Sequence, residues 1–93
     1  METNLELYLN NSRDIYCMTE KLFNQCAKKV SKGITLDYAR LYRSSYISAI
    51  LREARKELFR YDKQVATKKD IEECRKNLCE YVIETANYIA NKN

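Results

Sequence analysis

The chain has 93 residues, with 17 Lys and Arg against 13 Asp and Glu, for a net charge of +4. It has no Pro, no His, no Trp and one Gly. These counts exclude imidazole catalysis and His-ligated metal sites. They also exclude Gly-rich phosphate loops and β folds built from tight hairpins. A 45% apolar share is too high for a disordered chain, and the length suits a single domain, read here as one helical domain over 1–93.

Thr3-x-x-Glu6 opens the first element with capping-box spacing. Leu5, Tyr8, Leu9, Ser12, Ile15, Tyr16, Thr19, Leu22, Phe23, Cys26 and Val30 follow in an unbroken i, i+3, i+4 pattern, which predicts a helix over about 4–31. Lys28, Lys29 and Lys32 precede Gly33, where a left-handed C-cap is expected. Thr35 then caps a second helix over about 36–64, with Asp37 in its first turn. Its stripe is Ala39, Tyr46, Ile47, Ile50, Ala54, Leu58, Tyr61 and Val65. Thr67-x-x-Asp70 starts a third helix over about 68–91. This one turns Ile71, Cys74, Leu78, Tyr81, Val82, Thr85 and Ile89 inward. Asp70, Glu73, Asn77, Glu80, Glu84, Asn87 and Asn91 lie on its other side.

Short connections between three amphipathic helices predict an all-α, up-down-up antiparallel three-helix bundle of long helices, each roughly 35–45 Å. Its core is thin, so support from a second copy is part of the expectation. The start of the chain is acidic and no apolar run approaches a membrane span, so a cytoplasmic protein without a membrane partner is expected. Cys17, Cys26, Cys74 and Cys79 match no zinc or redox spacing and are read as free thiols.

Four features of the surface pattern bear on function. Arg52, Arg55, Lys56, Phe59, Arg60 and Lys63 share the side of the second helix opposite Ile50, Ala54 and Leu58. Cations around an aromatic suit an anionic partner, and this stripe is the candidate partner-binding surface. The alternative is a solvated face with Glu53–Lys56 and Glu57–Arg60 pairs. Residues 34–66 hold seven of the cations against four acids, so most of the positive excess lies here. Tyr38, Leu41, Tyr42 and Ala49 make the first half of the same helix apolar nearly all round, which predicts burial in the bundle, a self-association face in a homodimer or a surface for another protein. Arg40 and Arg43 fall on or beside the apolar stripe, and either snorkel and pair with an acid or line an anion cleft. The carboxylates of the third helix do not converge with those of another helix, so no metal, cofactor or catalytic set is expected.

These features point to a small non-enzymatic protein that binds a protein or nucleoprotein partner with an anionic surface, stoichiometrically. Direct binding of RNA or DNA through the stripe is the alternative. In size and composition the chain is similar to phage and mobile-element accessory proteins, many of which block the nucleic-acid channel of a host defence nuclease. By analogy alone, this likeness implies an anti-CRISPR-like inhibitor.

Overall fold

The computed structural model describes residues 4–92, and every regular element among them is an α-helix. The chain is all-α. It runs through α1 (Leu5–Asn11), α2 (Arg13–Ser31), α3 (Tyr38–Tyr42), α4 (Ser45–Asp62) and α5 (Lys68–Lys92). The helices expected over 4–31 and 36–64 are thus each interrupted. Asn10, Asn11 and Ser12 are poor helix residues whose side chains compete for backbone groups. Asn11 Nδ2 donates to the Leu7 carbonyl at 2.9 Å. Ser12 turns extended, with ψ 124°, and its Oγ donates to Glu57 Oε2 at 2.8 Å. The second interruption falls at Arg43 and Ser44. Ser44 is extended and its Oγ accepts from the Ile47 N–H, capping α4. The expected Thr3–Glu6 cap lies outside the described residues.

The other junctions follow their local chemistry. Gly33 adopts φ +83°, its N–H bonds the Val30 carbonyl, and the Ile34 N–H bonds the Lys29 carbonyl. These two bonds close a Schellman motif. The next cap is Asp37, which accepts from the Ala39 and Arg40 N–H groups, and Thr35 does not have this role. A carboxylate is the stronger acceptor and carries a charge that suits a helix N-terminus. The Thr67–Asp70 box forms as expected: Asp70 N–H donates to Thr67 Oγ1 and Thr67 N–H to Asp70 Oδ2.

α1 lies against the end of α4. Asn4 donates to Gln64 Oε1 and Asp62 Oδ2, both at 3.2 Å, and Tyr8 stacks on Tyr61 at 6.2 Å. α2 lies along α5, where Phe23 meets Tyr81 at 5.3 Å. α3 sits on α5 through Arg75, whose Nη1 donates to the Tyr42 carbonyl at 2.9 Å and to Ser48 Oγ at 3.2 Å. Leu5, Ile15, Ile47, Ile50, Leu58 and Val82 form the dry centre of the core, each at most 1% exposed.

The buried set also differs from the expected stripes. Tyr16, Tyr61, Val65 and Tyr81 were expected inside and are 50%, 63%, 72% and 51% exposed, and Ala39 is exposed as well. Ending α4 at Asp62 removes Val65 from the helical period altogether. Leu51, Cys79 and Ala86 take up core positions, which widens the buried faces of α4 and α5 beyond the expected stripes.

Candidate functional site

The candidate surface begins with the end of α4. Lys63 closes this helix in a left-handed conformation, φ 56° and ψ 29°, with its N–H on the Phe59 carbonyl. It is the only described non-glycine residue with positive φ. This turn sends Gln64, Val65 and Ala66 back beside the last turns of α4. The linker is held on both sides: Gln64 accepts from the Asn4 N–H, Ala66 is buried, and the Thr67–Asp70 box fixes the start of α5.

Between linker and helix runs an open groove of about 700 Å³. All six residues of the expected stripe line it, Arg52, Arg55, Lys56, Phe59, Arg60 and Lys63, joined by Gln64, Val65 and Ala66. Phe59 and Val65 give it an exposed apolar surface, at 57% and 72% exposure. Lys63 Nζ sits 5.8 Å from the centre of the Phe59 ring and donates to the Arg60 carbonyl at 3.3 Å. The left-handed turn therefore also brings a cation over the aromatic.

The acids of α4 do not line the groove. Glu53 and Glu57 line a neighbouring cleft toward α2 with Asp14, Met18 and Tyr61, and Lys56 and Arg60 border both the cleft and the groove. Glu57 is engaged by Ser12. Of the two expected intrahelical pairs only Lys56–Glu53 forms, at 3.2 Å and partly exposed. Among the described residues, no carboxylate lies within 4 Å of the Arg52, Arg55 or Arg60 guanidinium. Of the five cations, Lys56 is paired within the helix, and Arg52, Arg55, Arg60 and Lys63 are exposed.

The remaining sequence candidates are dispersed. Leu41 and Tyr42 pack against the core, Ala49 is half-buried, and Tyr38 is 39% exposed beside Tyr42. Burial, helped by nearby Cys79 and Glu80, raises the Tyr38 pKa. Arg40 and Arg43 are exposed, because the break at Ser44 takes them off the α4 stripe. Arg40 lines a smaller cavity of about 250 Å³ with Lys29, Asp37 and Tyr46. The residue the sequence reading missed is Arg75, which is half-buried under α3 with its guanidinium 5.5 Å from the Tyr42 ring centre. A cation on the inner flank of α5 was its only signal.

Cys17 is exposed and Cys26, Cys74 and Cys79 are buried, all as free thiols. Burial pushes the Cys74 and Cys79 thiols up to about 11, with Glu6 adding to the shift at Cys74, while Arg75 opposes it at Cys79. Among the described residues, no group of three or more Cys, Asp or Glu side chains is placed to hold a metal ion. No described helix is long and apolar enough to cross a membrane. No protein-family model, curated protein or solved structure matches the chain.

Proposed function

We propose that this protein is a non-enzymatic binding module and that the groove beside α4 docks an anionic surface of a protein or nucleoprotein partner. The observation that carries the reading is the lining of the groove. Five cations surround exposed Phe59 and Val65, and no acid of α4 lines the groove. Cations steer the encounter, and the apolar pair holds the complex after contact. Blocking a charged surface of a nucleoprotein, as an inhibitor of a defence nuclease does, is one use such a module serves, and that use rests on analogy alone.

The test separates fold from binding. Arg52→Glu with Lys56→Glu should change stability by no more than about 1 kcal/mol, as surface substitutions do. The pair should weaken capture of the partner and flatten its salt dependence. Unchanged capture would show the stripe to be only a solvated face.

Two finer parts of the reading concern architecture. The five helices act as three arms in an up-down-up bundle, α1 with α2, α3 with α4, and α5 alone. The pairings of Asn4 with Asp62 and of Arg75 with Ser48 support it. Twofold self-association through the face of Tyr38, Leu41, Tyr42 and Ala49 is tested at its most exposed member with Tyr38→Glu, which should shift the mass toward monomer in light scattering. A wild-type monomer across the micromolar range ends that part of the proposal.

A further inference from the structure

We infer that the occupant of the α4 groove is an acidic, amphipathic segment of a protein, whose apolar side chain seats against Phe59 and Val65 while its carboxylates meet Arg52, Arg55 and Arg60. The inference rests on the groove reading above and adds the chemistry of the partner. Its first support is Val65, the most exposed large hydrophobic residue among those described, at 72%. A lone exposed aliphatic needs no explanation. This one shares a groove with Phe59 and sits on a linker pinned by Asn4, Ala66 and the α5 cap. An aliphatic side chain offers a nucleobase no aromatic stack, the contact on which sequence-tolerant single-strand sites mainly rely. It does complete a socket for another apolar side chain.

The second support is the aromatic. Lys63 Nζ lies over the Phe59 ring, so a cation already covers one stacking face. The third is charge complementarity. Three guanidiniums free of carboxylate partners among the described residues offer planar forks, and carboxylates accept such forks in pairs. From Arg52 to Lys63 the helix rises about 16 Å, the length of three turns of a partner helix. Carboxylates three or four residues apart on that helix repeat at the same 4.5–6 Å steps as the cations of α4.

The experiment uses the full chain and four labelled probes at about 150 mM salt. One is a helical peptide of three to four turns with glutamates along one face and a central Leu. The second has Ser in place of that Leu. The third is a polyglutamate of equal charge, and the fourth is a single-stranded oligouridylate. The Leu peptide should bind at least tenfold tighter than the Ser peptide and the polyglutamate, and tighter than the oligouridylate. Val65→Ser should erase the Leu-over-Ser preference without changing the salt dependence, with circular dichroism confirming an intact fold. Arg55→Glu should weaken all anionic probes. If the Leu and Ser peptides bind alike, the apolar anchor is overturned while the anion groove stands. Tighter binding of the oligouridylate, indifferent to Val65→Ser, overturns the protein occupant in favour of nucleic acid. Binding of none of the four overturns both the inference and the groove reading beneath it.

Discussion

Two single residues fix local geometry at opposite ends of α4: Lys63 turns the backbone at the groove, and Arg75 holds the junction of α3 and α4 with its side chain. Lys63 holds a left-handed conformation that costs an ordinary residue about 1–2 kcal/mol. Glycine adopts it without steric penalty, so Lys63→Gly should raise stability by about 0.5–1 kcal/mol in chemical denaturation. The same change removes a groove cation and the cover over Phe59 and should weaken partner binding. Higher stability with weaker binding would mark Lys63 as a residue whose strain serves the groove. Arg75 ties α3 to α5 by donating to the Tyr42 carbonyl and Ser48. Arg75→Ala should cost about 1–2 kcal/mol, since two part-buried hydrogen bonds to the guanidinium are lost. Lys should restore little of it, because a point charge does not replace a planar fork over the Tyr42 ring. Full recovery with Arg75→Lys would contradict this role.

At the scale of the element, the helical periods and two of the junctions are legible in the sequence. Gly33 is legible because only one residue in the chain takes a left-handed turn cheaply, and Thr67–Asp70 because the partners of its cap lie three residues apart. The interruptions at Ser12 and Ser44 are not. Each break adds to its local chemistry a partner distant in sequence: Glu57 for Ser12, and Arg75 at the Tyr42 carbonyl, two residues before Ser44. Val65 was assigned to the core because the helical period was carried past Asp62, where the left-handed turn ends it. The stripe of α4, in contrast, needed only the 100° rotation per residue, and all six of its members line one groove. Its linker wall was invisible to periodicity. The element should answer to its core as well: Ile50→Ala, at a site with 0% exposure, should cost about 2–5 kcal/mol by thermal or denaturant unfolding. Thr67→Ala should cost about 0.5–2 kcal/mol through loss of the α5 cap.

For the whole molecule, the buried thiols couple the core to pH. Cys74 and Cys79 are raised from 9.0 to about 11 in the folded state. Between those values the folded chain holds protons that the unfolded chain has released. Stability is therefore fully present below about pH 9 and falls as pH rises through about 11. The melting temperature should drop across this window, and Cys79→Ala should soften the drop even though it lowers stability overall. In the native protein at pH 8, Cys17 alone should react quickly with a thiol reagent, since the other three are buried. Fast labelling of all four thiols would show that the core opens readily.

The account turns on the claim that the cationic groove beside α4 is where a partner docks. The most direct measurement is parallel capture with three baits, followed by quantitative mass spectrometry with any co-purified nucleic acid retained. The baits are the wild-type chain, Arg52→Glu with Lys56→Glu, and Lys76→Glu, which changes an exposed cation of α5 outside the groove. The account predicts a partner held by the wild type and by Lys76→Glu and lost from the groove variant, with all three baits equally helical. A partner retained equally by all three would contradict it.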